Sequence, residues 1–368
     1  MASCDFITMG LRIRAVDCPR SSRVVLTRLL GPDRPAEGLA DVRLRFVDRM
    51  IWSKQLQLAG PDAAWDGRNF GIRQPGGWVQ IPFGKIDDPP YEVVCERAVT
   101  NLSILRPLLQ IHALRKGLLP CHGSAFTYGG YGFIATGWPR AAKTGIALAA
   151  IDGGGEAIAA ENSAVHPETL LLFQAAEPFR VRPWHIVQFR GDRLLLAARS
   201  RRRLLLAERF RQMVSRDGPH LRRLAPIAAA VGRHNWLELW PHQVPYASRA
   251  TQLRAIICLI AKGAKADSVS TNPSRLGEQR LLLLFDEELA PLSKCYRQYQ
   301  FLALPGEQSP LDEARRRYQV LLRQVLERVP CHELLHANSP PFAVLLRAVQ
   351  TIADAPNFDG AAVSTHEP

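Results

Sequence analysis

Lys143 and Thr144 close the octapeptide GWPRAAKT, residues 137–144, which has the spacing of a phosphate-cradling loop, G-x-x-x-x-G-K-[ST], with Ala142 in place of the second glycine. In such a loop small residues let successive backbone N–H groups point at phosphate oxygens, and the helix that follows adds its positive dipole end. Gly137, Trp138, Pro139, Arg140, Ala141, Ala142, Lys143 and Thr144 are therefore the candidate nucleotide contacts. Lys143 would reach the β/γ-phosphates and the Thr144 hydroxyl would ligate Mg²⁺. A second metal-side group must be a carboxylate at the end of a neighbouring strand. Glu161 closes GEAIAAE, 17 residues after Thr144, and fits that place. A divalent ion held by Thr144 and Glu161 would offset charge on a transferring phosphoryl group. Two residues strain the pattern: Ala142 brings a Cβ to a turn position that favours glycine, and Pro139 removes one N–H from the cradle.

The elements that must position these groups are legible around them. Residues 131–136 have β character, 144–151 a helical one, and a second apolar run ends at Glu161. Upstream, residues 5–115 read as β-rich and irregular. LRIRAV, RVVLTRLL and VRLRFV are β-prone pieces, and two more flank the Pro-Gly-Gly turn of residues 75–77. Trp52, Trp65 and Trp78 read as core or hairpin packing. A helix is predicted over 98–117, with Leu102, Leu105, Leu109 and Leu114 on one face and Gly117 as its stop. Downstream, LLLFQAAEPFRVRPWHIVQF reads as short strands, and WLELWP and LRAIICLIA as two buried strands closing a central sheet. From Gly277 onward three helices are predicted. The fold class is α/β: a β-rich N-terminal region (1–117), a P-loop kinase-like sheet domain (118–276) and a helical C-terminal region (277–368).

The chain of 368 residues is 47% hydrophobic and 22% charged, a globular balance with enough apolar residues for a core. Its net charge of +13 is nearly all arginine. That favours anionic partners, and it equally fits a GC-rich genome that writes Arg for Lys. Ten arginines crowd residues 199–233. The run lacks the interleaved aromatics of a stacking platform, which disfavours nucleic acid. A solvated helix face or a surface for an acidic partner accounts for it better. Seven cysteines stand singly, with no C-x-x-C pair, and point to a reducing cytosol rather than a disulfide framework or zinc ribbon. No apolar run approaches the roughly 18–20 residues that span a bilayer, and the N-terminus lacks a secretory apolar region. The expected location is cytoplasmic. No G-x-S-x-G elbow is present, which argues against an α/β-hydrolase.

His122-Gly123-Ser124-Ala125, the YGGYG hairpin, GFIATG, the Lys-Thr loop and a strand end at Glu161-Asn162 follow one another in an order that resembles the HPr serine kinase/phosphorylase catalytic domain. That domain is in turn similar to the phosphoenolpyruvate carboxykinase nucleotide core. The resemblance covers 120–165 well and 120–270 loosely. It implies ATP and Mg²⁺ as cofactors, with Gly137, Lys143 and Thr144 on the phosphates and metal, and Glu161 as the metal-side acid. It also implies a role near the phosphates for His122, as base or as phosphate anchor. A strand-end histidine with no such role is the alternative. Asn162 stands where the family has its second acid, the general base toward the acceptor, and an amide cannot take up a proton.

The catalytic candidates are thus His122, Lys143 and Glu161. The expected activity is ATP-dependent transfer of a γ-phosphate to a Ser/Thr hydroxyl or a small-molecule acceptor. A catalytically degenerate nucleotide-binding sensor or scaffold, and a basic interaction module with a vestigial loop, are the alternatives, and homo-oligomerisation is left open. Trp184-His185, after Arg180 and Arg182, either faces the nucleotide base or substrate or is half-buried packing.

Overall fold

Alternation of apolar and charged residues in LRIRAV and VRLRFV suits strands with one face inward. In the computed structural model both are strands of an eight-stranded sheet. The structure describes residues 3–35, 37–86, 89–189, 236–247, 251–262, 271–273, 276–304, 309–337 and 340–355, with five more between 202 and 209. The sheet is built from β1 (Cys4–Thr8), β2 (Leu11–Val16), β3 (Val42–Val47), β4 (Gln57–Leu58), β5 (Ala63–Trp65), β6 (Phe70–Gln74), β7 (Gly77–Gln80) and β8 (Tyr91–Glu96), in the spatial order β1-β2-β3-β8-β7-β6-β5-β4. Trp52 and Trp78 meet edge to face, with ring centroids 5.5 Å apart.

RVVLTRLL is not a strand. It belongs to helix α1 (Arg20–Leu30). Ser22, Leu26 and Leu30 recur every four residues and form its buried face, and Gly31 at φ +94° ends it. The helix predicted over 98–117 starts later, as α2 (Leu105–Arg115). The Asn101 side chain accepts from the Ser103 N–H at 2.9 Å, a local turn that competes with helix. Pro107 then sits in the first turn, where its missing N–H costs nothing.

A second sheet of nine strands carries the loop. After α2 come β9 (Leu119–His122), β10 (Ser124–Tyr128), β11 (Tyr131–Gly137), helix α3 (Lys143–Asp152), β12 (Glu156–Ala159), β13 (Asn162–Val165) and β14 (Leu171–Phe173). Next are β15 (Phe179–Val181), helix α4 (Pro183–Gln188), β16 (Leu237–Leu239), β17 (Thr251–Ala261) and β18 (Thr271–Pro273). The chain then runs through helices α5 (Gly277–Ala303) and α6 (Pro310–Leu326), β19 (Cys331–His336) and helix α7 (Phe342–Asp354).

At the centre β11, β17 and β19 run parallel, with Ile134 opposite Ile256 and Leu259 opposite Leu334. Their side chains alternate between two cores. Phe133, Ala135, Ile257 and Leu259 pack toward α3 and α7, while Ile134, Ile256 and Cys258 pack toward α5 and α6. Burial on both faces is why these segments read as unbroken apolar runs.

Other local expectations are corrected. HIVQ is not a strand but most of α4, opened by Pro183 at its first position after the extended Arg182. WLELWP does supply a strand, β16, but it pairs with β15 in a separate two-stranded sheet rather than closing the central one. The three C-terminal helices form as expected, but β19 lies between α6 and α7 and joins the central sheet. Helix α5 also reaches the N-terminal sheet, where Tyr299 meets Trp65 at 5.4 Å. The arginine-rich 199–233 stretch lies almost wholly outside the described residues.

Candidate functional site

Residues 137–142 join the end of β11 to the start of α3, so the loop sits at the carboxyl edge of the parallel strands with a helix N-terminus behind it. At that terminus the first N–H groups of α3 have no carbonyl of their own helix to donate to. Gly137 adopts φ +149°, and a Cβ there would lie 2.6 Å from the Leu259 carbonyl oxygen, so the glycine permits close approach of β17. The strain foreseen at Ala142 is real: it sits in the left-handed region at φ 61°, ψ 20°, which costs an L-residue about 1–2 kcal/mol. Ala142→Gly is therefore expected to raise, and not to lower, the melting temperature. A clear drop would show that the Cβ makes a contact worth more than the strain.

Lys143 folds back over the loop, with Nζ donating to the Gly137 carbonyl at 2.7 Å and lying 3.4 Å from that of Trp138. Burial holds its ammonium pKa below the usual lysine value, against the pull of Glu288 and Glu161. From β19, His336 places Nε2 3.2 Å from the Ala141 carbonyl oxygen.

The HGSA segment has a structural explanation. A Cβ at Gly123 would sit 2.5 Å from the Ala135 carbonyl oxygen, so only glycine lets the chain pass β11 on its way from β9 to β10. From that crossing the Gly123 N–H donates to the Glu161 carbonyl (2.8 Å), and the Ser124 hydroxyl donates to that of Ala160 (2.8 Å). Gly123 and Ser124 thereby fix the position of Glu161, just past the end of β12.

A cleft of about 690 Å³ opens over the loop. Pro139, Arg140, Ala141, Ala142, Lys143 and Thr144 line one side; His122 and Glu161 line it too. Gly137 and Trp138 do not, and Trp138 is 57% exposed. Arg180, Arg182, Trp184 and His185 also line it, so the Trp-His pair borders the cleft while also packing: Arg182 lies over the Trp184 ring at 5.3 Å, and the His185 ring is buried. The Arg182 N–H donates to His185 Nδ1 at 3.1 Å, which leaves Nε2 to carry the ring proton. Burial, aided by Arg182, lowers this histidine to about 4, so the ring is neutral at pH 7.

Three charged residues that no motif flags complete the site. Arg106, in the first turn of α2, places Nη2 2.6 Å from Glu161 Oε2 and 3.7 Å from Glu177 Oε2. Glu177 is fully buried and accepts from Asn162 Nδ2 at 2.8 Å. Asn162 is thus turned into the interior, away from the cleft. Glu288, on α5, lines the cleft and brings Oε2 to 3.4 Å from His122 Nδ1. Burial pushes the Glu161 carboxyl up, but Arg106 and Arg180 outweigh it and hold the pKa below the usual range. His122 is lowered to about 4 by burial and by Lys143, so its contact with Glu288 is not an ion pair at neutral pH.

No family model matches this chain, and no curated protein does. The arrangement must therefore be weighed on its own chemistry. For a polyphosphate the residues fit: a helix N-terminus, Lys143, Arg140 and Arg182 meet at one cleft, and of its two carboxylates Glu161 is engaged by Arg106 and Arg180. For Mg²⁺ the pair that the motif marks is the Thr144 hydroxyl and Glu161, whose oxygens face Arg106 at 2.6 Å and Arg180 at 3.6 Å. Among the described residues no group of three or more His, Cys, Asp or Glu has metal-binding geometry. Mg²⁺ takes most of its ligands from phosphate and water, so the set fits an ion that arrives on a nucleotide and does not fit a resident one. No helix among the described residues is long and apolar enough to cross a membrane.

Proposed function

We propose that this chain binds ATP with Mg²⁺ on the 137–144 loop and transfers the γ-phosphate to a hydroxyl, on a Ser/Thr side chain or a small molecule, as a divergent HPr-kinase-like phosphotransferase. The observation that carries the reading is convergence. Lys143 and Thr144 from the start of α3, Glu161 from the end of β12 and His122 from the end of β9 border a single cleft. In this reading Lys143 and the amides at the start of α3 hold the phosphates. Thr144 and Glu161 hold the ion, which would neutralise charge on the phosphates. Arg140, Arg180 and Arg182 border the same space and suit an anionic ligand. The free thiols of all seven cysteines agree with a cytoplasmic setting.

A binding protein without transfer, a sensor or scaffold, is the second reading. It is favoured by the two arginines on Glu161 and by Asn162, an inward-turned amide where the family has its second acid.

Melting curves test the site. ATP with Mg²⁺ at 100 times its Kd should stabilise the protein by about 2.7 kcal/mol. Mg²⁺ alone should produce no shift, given the small donor set. No response to nucleotide would remove the reading. If acidic polymers instead bind in a salt-dependent way, the basic interaction module takes its place. A stabilising response with no labelled phosphate leaving ATP would favour the sensor.

A further inference from the structure

We propose that Glu288, contributed by helix α5, is the general base of this site, receiving the proton of the acceptor hydroxyl with His122 as its positioning partner. The inference rests on the phosphotransferase reading above. Phosphoryl transfer to a hydroxyl requires a group that accepts the hydroxyl proton, and Asn162 can neither do so nor reach the cleft, since its amide is bonded to buried Glu177. Glu161 is held by Arg106 and Arg180. Of the carboxylates bordering the cleft, Glu288 is the one with no arginine on its oxygens among the described residues; its close neighbour is the neutral ring of His122. That ring's Nδ1 is buried and lacks a hydrogen-bond partner, 3.4 Å from Glu288 Oε2. A proton arriving on Glu288 can therefore be held in a hydrogen bond to that ring nitrogen.

In the step, the acceptor oxygen forms its bond to the γ-phosphorus while the bond from that phosphorus to the β–γ bridging oxygen breaks. ADP leaves with the electron pair, and the acceptor proton passes to Glu288. His122 from β9 lies against this carboxylate, and the charges that act on it are Arg106 from α2, Lys143 from α3, Glu161 after β12 and its own neighbour Glu287. Burial raises the Glu288 pKa, against the lowering effect of Arg106 and Lys143, which moves it toward the range where a base works best near neutrality.

Glu288→Gln keeps the shape of the side chain and removes its basicity. Two measurements follow on the full chain, with γ-labelled ATP as donor and water or a cell lysate as source of acceptor. Release of label should fall by about 100-fold or more, while the melting-temperature rise with ATP is retained. The wild-type rate should decline on the acid side as Glu288 protonates, Glu288→Asp should keep part of that limb, and Glu288→Gln should lose it. In the nucleotide-free protein, an NMR titration of the His122 ring should move in Glu288→Gln. A variant with unchanged rate and pH profile, or an unmoved His122 titration, overturns the role of Glu288 and leaves the phosphotransferase reading standing. A wild type that binds ATP and releases no label overturns both.

Discussion

Lys143→Ala is expected to abolish most of the stabilisation that ATP with Mg²⁺ confers. The ammonium is partly buried in the lining of the cleft and bonded to a loop carbonyl, so nucleotide binding would exchange that bond for phosphate. A hydrogen bond to a charged group is worth about 1.5–3 kcal/mol, and the loss of more than one weakens affinity by about 100-fold. At a concentration that stabilises the wild type by about 2.7 kcal/mol, the variant would then gain only about 0.4 kcal/mol. Scanning fluorimetry on both proteins at one nucleotide concentration reads this directly. An equal shift in the variant would mean that nucleotide binds elsewhere, and Thr144 and Glu161 would lose their assignment with it.

The largest effect on stability should come from Arg106→Met. Its guanidinium bridges Glu161 at 2.6 Å and Glu177 at 3.7 Å; burial works against its charge, but Glu177, Glu161 and Glu288 together hold it ionised. Removing one partner of a buried pair leaves carboxylates uncompensated and costs about 3–5 kcal/mol. Burial pushes Glu177 up to about 8, although Arg106 and Asn162 pull it down. Because the folded-state value lies above the unfolded one, near 4.5, the folded protein binds more protons between the two. The contribution of Glu177 is thus fully present below about 4.5 and is lost as pH rises through about 8. Glu177→Gln should flatten that decline in melting temperature. The damage from Arg106→Met should be smaller at pH 5 than at pH 8, and adding Glu177→Gln should recover part of it. A variant as stable as the wild type at pH 8 would show that the network bears little of the fold.

Both experiments depend on residues of very different legibility. The strand, turn and helix around GWPRAAKT could be read because they are local: they follow one another within about twenty residues, and each leaves its own periodicity. The helix α1 was hidden within a Val- and Leu-rich stretch of β character, yet Pro19 before it and Gly31 after it bracket its span, and the four-residue recurrence of Ser22, Leu26 and Leu30 was there to be counted. The place of β16 was not readable. A short strand carries no mark of which partner it will pair with, and β16 takes β15 although the central strand β17 is closer along the chain.

What the sequence determined by itself is the chemistry within reach of the loop: a lysine, a hydroxyl, a carboxylate 17 residues on and a histidine upstream. Packing decided everything that depends on charge. Arg106, Glu177 and Glu288 come from α2, the segment before β15 and α5, and no spacing links them. Folding alone brings Arg106 onto Glu161, turns Asn162 inward onto Glu177, and sets Glu288 beside His122. Coulomb interactions depend on distance in space and on burial, and neither is written in the order of residues along the chain.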